Sequence, residues 1–167
     1  GDLDLAREKL QECHTQVGDQ EGMDGLLSEA NLLLAQIHNR RSDLERGLAL
    51  NREALEFAEQ AGDRHGVTKA IRAICETHLA KGDHDRAAAS IKRGISLSQN
   101  EDDKFDLAQS YKSLGNVLYN GGDYHRALES YQKSLLLCRQ IGDEEGTARI
   151  YNNLGNVLQF RDQTAEA

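Results

Sequence analysis

Tyr111-Lys-Ser-Leu-Gly-Asn-Val-Leu118 and Tyr151-Asn-Asn-Leu-Gly-Asn-Val-Leu158 are two versions of one phrase, forty residues apart. In the second, Tyr151, Leu154 and Leu158 fall at i, i+3 and i+7, one apolar stripe of a helix, and Gly155 has no side chain to hold a partner helix away. The first repeats this with Tyr111, Leu114, Leu118 and Gly115. Just beyond it, Tyr124, Ala127, Leu128, Tyr131 and Leu135 form the inner face of a second helix, small residues beside large ones as interlocking ridges require. Such a pair cannot bury its apolar surface alone, so neighbouring pairs must stack to make a core.

Outward from this phrase, one turn marker recurs through the chain. A Gly-Asp or its equivalent, with a small residue four further on, stands at Gly1-Asp2 with Ala6, Ser42-Asp43 with Gly47, Gly82-Asp83 with Ala87, Gly122-Asp123 with Ala127, and Asp162-Gln163 with Ala167. The spacings are 41, 40, 40 and 40 residues. Gly supplies the left-handed residue that ends one helix, and Asp accepts the unpaired amides that open the next. A second set of loops lies between, at Gly18-Asp19, Gly62-Asp63, Glu101-Asp102-Asp103 and Gly142-Asp143. These marks predict eight helices, near 3–16, 25–40, 43–60, 66–81, 83–98, 105–120, 123–140 and 146–160.

Composition agrees. Proline is absent, although average usage predicts about eight in a chain of this length, so no segment carries the residue that breaks helices. Aromatic residues are 5% and there is no Trp, which leaves Leu, Ile, Val and Ala to build many small contacts. The formal net charge of −8 repels nucleic acid and anionic lipid. No apolar run reaches the roughly eighteen residues that a membrane helix needs, so no membrane partner is expected. Cys13, Cys75 and Cys138 are odd in number and far apart, which suits a reducing, cytoplasmic setting and no disulfide framework. The 167 residues read as one repeat domain. Beginning at Gly1 without Met and stopping at Ala167 partway through a repeat, it reads as a fragment of a longer protein.

The order of an aromatic or aliphatic residue, Leu, Gly and Leu or Tyr on one helix, then Gly-Asp-Tyr, Ala and Tyr on the next, resembles the tetratricopeptide repeat. The forty-residue period and the Leu-Gly-Asn at 114–116 and 154–156 are similar to the longer variety found in spindle-orientation adaptors and bacterial regulators. The resemblance implies an all-α, right-handed superhelical solenoid of antiparallel helix hairpins over the whole chain. The earlier repeats depart from the pattern: Cys75 replaces the Gly, His38 and His78 take the later apolar place, and Asn31 stands where Tyr is expected. Looser packing is therefore expected in the first half.

Each first helix also has a polar face, because a helix turns 100° per residue. On the last helix it is Arg149, Asn152, Asn156 and Gln159. On the earlier ones it is Gln109, Lys112, Asn116 and Tyr119; Lys69, Arg72, Glu76 and Leu79; and Glu29, Leu32, Gln36 and Asn39. Every amphipathic helix needs a solvated face, and that alone accounts for most of these positions. Two features point further. Lys69, Arg72, Lys112 and Arg149 gather positive charge on an acidic protein, which would attract an acidic segment or a free C-terminal carboxylate. Asn116, Asn152 and Asn156 can each donate and accept, as the backbone of an extended peptide demands. The resemblance implies that this face lines a concave peptide groove. In one branch of the family a carboxylate clamp uses Lys and Asn four apart, then Asn on the next repeat, and Lys112, Asn116 and Asn153 match those places.

Other chemistry finds no support. Cys75 and His78 share a helix face, and Cys13 adjoins His14, but neither pair supplies the four converging ligands of a closed zinc site. His38 and His78 fall on packing positions. No Ser-His-Asp order, glycine-rich phosphate loop, HExxH run or calcium loop occurs, so no catalytic site, cofactor or metal is expected. The sequence thus predicts a scaffold that binds a protein or peptide between residues 109 and 159. The alternative is a regulatory segment of a larger signalling protein, such as a cyclase, kinase or transcription regulator, acting through a ligand or through homodimers formed by an uncovered helix face.

Overall fold

The computed structural model describes residues 24–99 and 103–165, with side chains as far as Gln159, and Leu5, Lys9, Glu12, Thr15 and Gln16 before them. Seven helices are described: α1 (Asp24–Arg40), α2 (Leu44–Gln60), α3 (Arg64–Ala80), α4 (His84–Leu97), α5 (Lys104–Asn120), α6 (Tyr124–Ile141) and α7 (Glu144–Ala165). The expected helix over 3–16 lies largely outside the described residues, although the five described positions there are helical. So do the turn markers at 1–2 and the loop at Gly18-Asp19. No strand occurs among the described residues. The chain divides into two compact units, residues 1–82 and 83–167. Within the first, α1 packs on α2 and α2 on α3; within the second, α4, α5, α6 and α7 pack successively.

The turns after α1, α2, α3, α5 and α6 share one construction, which the end of α4 at Ser98 (φ −100°) does not. A residue in the left-handed conformation ends the helix: Ser42 (φ 63°), Gly62 (65°), Gly82 (75°), Gly122 (80°) and Gly142 (73°). After Ser42, Gly62, Gly122 and Gly142, the amide of the following Asp donates back to the carbonyl of His38, Ala58, Leu118 or Cys138, at 2.9 Å in each case. This six-to-one bond closes off carbonyls that the ended helix leaves without a partner. The same Asp then opens the next helix. Asp43, Asp123 and Asp143 accept the amides of Arg46 (3.3 Å), Arg126 (3.1 Å) and Gly146 (2.8 Å), and Asp83 accepts that of Arg86 (3.3 Å). Asp63 holds the equivalent place without a side-chain cap bond. At Asp43 the His38 Nδ1 approaches Oδ2 to 2.8 Å, and this bond holds the Asp43 carboxyl below its ordinary range.

Core clusters among the described residues of the first unit include Leu32 with Ala54 and Ala70, and Leu34 with Ala35 and Leu50. Leu32, read as part of the polar face of its helix, is 3% exposed and belongs to this core. The substituted positions of this half are buried: Asn31, Cys75 and His78 are 1%, 1% and 3% exposed. Burial pushes the Cys75 thiol up to about 12. Asn31 Nδ2 donates to Glu53 Oε2 at 3.4 Å, and beside these positions lies a buried polar group. Thr77 Oγ1 receives the side-chain amides of Asn39 (2.9 Å) and Asn51 (3.0 Å) and itself donates to the Ala73 carbonyl (2.9 Å).

The second unit is built around Ala127, Tyr131, Ile150 and Val157, with Leu118, Tyr119, Tyr124, Leu128, Leu135 and Leu154 packed against them. Gly115 admits the Tyr131 ring as expected: a Cβ on Gly115 would lie 2.4 Å from a ring carbon. The stripe predicted on the last helix is displaced. Ile150 and Val157, not Tyr151 and Leu158, are the buried line of α7, because that line faces α6. Tyr151 and Leu158 are 49% and 41% exposed, and a Cβ on Gly155 would meet nothing within 4 Å.

The turns and the glycine notches predict the effects of three substitutions. Ser42→Gly relieves the left-handed strain of a Cβ-bearing residue and raises unfolding free energy by about 0.5–1 kcal/mol, measured by urea denaturation. Gly115→Ala collides with the Tyr131 ring and costs about 1–3 kcal/mol. Gly155→Ala, the same change in the second copy of the phrase, instead gains up to about 1 kcal/mol from helix propensity.

Candidate binding face

The polar faces predicted from helix periodicity can be located unit by unit. In the first unit, Glu29, Gln36 and Asn39 lie on α1 and Lys69, Arg72 and Glu76 on α3. Glu29 and Lys69 occupy equivalent places one repeat apart, and the Lys69 ammonium sits 2.7 Å from both carboxylate oxygens of Glu29. The charge at Lys69 is therefore balanced within the face. Arg72 and Leu79 are half-buried beside it, and Asn39 is turned to Thr77.

In the second unit the face is carried by α5 and α7. Gln109, Lys112, Asn116 and Tyr119 are half-buried on α5, while Arg149, Asn152, Asn156 and Gln159 are exposed on α7. Lys112 Nζ donates to the neutral Oε1 of Gln109 at 2.6 Å. One turn on, Asn116 Oδ1 is the centre of the arrangement. It accepts the Tyr131 hydroxyl at 2.7 Å and the Asn153 side-chain amide at 3.5 Å. Lys112, Asn116 and Asn153 are thus brought together across two neighbouring first helices. The Asn116 amide has its oxygen committed, so its Nδ2 remains as the donor at this point. Tyr119 lies against Tyr124, with ring centroids 5.6 Å apart and the rings tilted by 57°. Arg149 pairs with Glu145 one turn earlier, which offsets its charge, and at the surface such a pair is worth little.

Lys69 and Arg149 each face a carboxylate. The sequence reading missed the part played by Tyr131, which it placed only in the core. The signal was available: a buried phenol needs a partner for its hydroxyl. Burial also pushes the Tyr131 phenol up, so it stays a donor at neutral pH. Among the described residues no group of His, Cys, Asp and Glu is arranged to hold a metal ion, and no helix is long and apolar enough to cross a membrane. Cys75 and Cys138 are buried thiols; Cys13 and His14 fall outside the described residues. A separate cleft of about 380 Å³ lies away from the polar face, at the junction of α6 and α7, and is lined by Arg139, Thr147, Ala148 and Tyr151 among others.

Comparison with known proteins places this arrangement in a wider setting. Residues 106–167 match the family model of the tetratricopeptide repeat. No curated protein matches the chain by sequence. Among solved structures, the chain is similar to BtubC from P. vanneervenii, with a TM-score of 0.82 and 21% identity over 95% of this chain and 65% of that one. It is similar to a Rap protein complexed with Competence and Sporulation Factor, with a TM-score of 0.80 and 12% identity over 99% of this chain and 46% of that one. It is also similar to the Sgt2 tetratricopeptide-repeat domain from Aspergillus fumigatus, with a TM-score of 0.64 and 16% identity over 84% and 82%. The chain thus spans less than two thirds of the first two proteins. At these identities the likeness establishes the fold, an all-α array of tetratricopeptide-type helix hairpins.

Tyr131→Phe removes the donor that orients Asn116 while keeping the ring in the Gly115 notch. It is expected to cost about 1 kcal/mol in urea denaturation, the ordinary net worth of one hydrogen bond.

Proposed function

We propose that the chain, whose residues 106–167 match the tetratricopeptide-repeat family model, is a non-catalytic scaffold for protein–protein interaction, binding an extended segment of a partner on the α5–α7 face. The observation that carries this reading is the convergence of Asn116 and Asn153 at 3.5 Å, one helical turn from Lys112. A cation beside two side-chain amides suits a carboxylate next to a peptide backbone. The ammonium attracts the negative charge, and the amides satisfy backbone groups whatever the side chains are. Arg149, Asn152, Asn156 and Gln159 extend the polar surface along α7, and Gln109 and Tyr119 extend it along α5. In the first unit, Lys69 and Arg72 on α3 offer a second polar stretch.

The occupant is an acidic segment or a chain end with its free carboxylate, not nucleic acid, which the net charge of −8 disfavours. The Rap structure, complexed with Competence and Sporulation Factor, supports the binding of a partner molecule as a use of this fold. The buried thiols of Cys75 and Cys138 are in keeping with a cytoplasmic setting.

The test is affinity capture of partners with the wild-type chain, followed by titration of the captured segment against Lys112→Ala and Asn116→Ala variants. Each substitution is expected to weaken binding by about tenfold or more, equivalent to 1.4 kcal/mol or above, with helicity unchanged by circular dichroism. Undiminished affinity in both variants places the site elsewhere.

A further inference from the structure

Asn120-Gly121 is the one Asn-Gly pair in the chain, and it stands where α5 ends. An asparagine in this setting carries a chemistry of its own. The backbone nitrogen of the following residue can attack the side-chain carbonyl carbon and close a five-membered imide, and glycine leaves that nitrogen unshielded because it has no Cβ. Asn120 and Gly121 are both exposed, so water reaches the reacting atoms. The other asparagines of the chain are followed by Leu, Arg, Glu, Val or Asn, whose side chains crowd the same nitrogen.

The turn decides when the two groups can meet. The Asn120 side-chain amide donates to the Asn116 carbonyl at 2.8 Å, which anchors it one turn back along α5. The Gly121 amide donates to the Val117 carbonyl at 3.0 Å, and Gly121 keeps helical dihedrals (φ −81°, ψ −1°). Nucleophile and electrophile are thus both engaged elsewhere, and attack waits for the last turn of α5 to open. The lock on that opening is the next residue pair: Gly122 is left-handed (φ 80°) with its amide on the Tyr119 carbonyl (3.0 Å), and the Asp123 amide is on that of Leu118 (2.9 Å). A helix end opens locally at far lower cost than the whole fold, so this turn, and not global unfolding, sets the rate.

We propose that Asn120 is a site of spontaneous covalent modification, gated by opening of the turn between α5 and α6. The Gly121 nitrogen bonds to Cγ of Asn120, the Cγ–Nδ2 bond breaks, and the proton lost from the nitrogen leaves with the amide as ammonia. Water then opens the imide at either carbonyl, giving aspartate or isoaspartate. Both products carry a carboxylate where the chain had a neutral amide. That charge lies at the carboxyl end of a helix, which disfavours anions, and the donor to the Asn116 carbonyl is gone, so the modified turn opens more readily. The charge also stands one turn from Asn116 and repels an acidic occupant, a consequence that rests on the function proposed above.

Peptide mapping by mass spectrometry of the 167-residue chain, held at neutral and at mildly alkaline pH, tests it, with isoaspartate read separately by enzymatic methylation. The expected result is conversion at Asn120 ahead of every other asparagine, faster at the higher pH, and about tenfold or more slower in the folded chain than in the same chain unfolded in urea. Gly121→Ala keeps helical dihedrals and sets its Cβ in ordinary contact with the Val117 carbonyl at 3.4 Å, so it folds and is expected to suppress the reaction. Gly122→Ala puts a Cβ on a left-handed residue, loosens the turn and is expected to speed conversion severalfold. Conversion at Asn120 no faster than at the other asparagines, equal rates in the folded and urea-unfolded chains, or an unchanged rate in Gly122→Ala overturns the proposal. Asn120→Asp is expected to bind the captured segment more weakly than the wild-type chain. Conversion as described together with undiminished binding by Asn120→Asp upholds the modification site and removes only its link to the binding face.

Discussion

Everything in this chain hangs on a two-residue turn in which one aspartate serves two helices. Its amide closes the helix that has just ended, and its carboxylate opens the one that follows, as at Asp43, Asp123 and Asp143. A turn this short leaves the second helix little choice but to fold back against the first. The left-handed residue before the aspartate makes the reversal sterically possible, which is why glycine holds that place at 62, 82, 122 and 142. Ser42 shows that the geometry is imposed by its surroundings and not merely permitted by glycine, since a residue with a Cβ takes the same conformation at φ 63°.

Once successive helices are antiparallel, the packing of small residues determines how close they come. Ala54, Ala58, Ala70, Ala87, Ala108 and Ala127 are all fully buried, and the large side chains lie between them. The contact of Tyr131 with Gly115 carries this furthest and also reaches the candidate site. The ring fills the notch between α5 and α6, and its hydroxyl holds Asn116 Oδ1. The side chain that packs the hairpin is therefore the one that orients the polar face. A second helix-to-helix contact, Asn153 on Asn116, then ties α7 to the same point. The polar face of the second unit is positioned by the core under it, and so it is held on rigid elements and not on loops.

The turns at 42–43, 62–63, 82–83, 122–123 and 142–143 and the inner face of α6 could be read from sequence because each depends on local chemistry with a fixed spacing, whereas Asp162-Gln163, read as a further turn, lies inside α7, which runs to Ala165. Asp, Gly and the helical period need no knowledge of what lies across the core. Three things could not be read that way. The line of α7 that is buried runs through Ile150 and Val157, and only the position of α6 decides between it and the neighbouring line through Tyr151 and Leu158. Leu32 falls on a polar arc yet is core, because Ala54 and Ala70 reach it from two other helices. The pairing of Lys69 is the third, since Glu29 lies forty residues away and meets it only through stacking. In the site itself, Lys112, Asn116 and Asn153 were legible as a spacing, whereas the role of Tyr131 required the hairpin to be built.

The two copies of the Leu-Gly-Asn phrase separate what a sequence encodes from what its neighbours decide. Gly115 and Gly155 are chemically the same residue in nearly the same words, but one is a packed notch and the other an open one. A stacked architecture makes this unavoidable, since each unit buries its ridge only against the next, so every array has a ridge whose complement must come from outside the described helices. An interior ridge contributes stability, whereas an open ridge of the same composition offers a surface with defined shape and a defined preference for an aromatic knob. On α7 that surface lies on a different arc from Asn153, which faces α5.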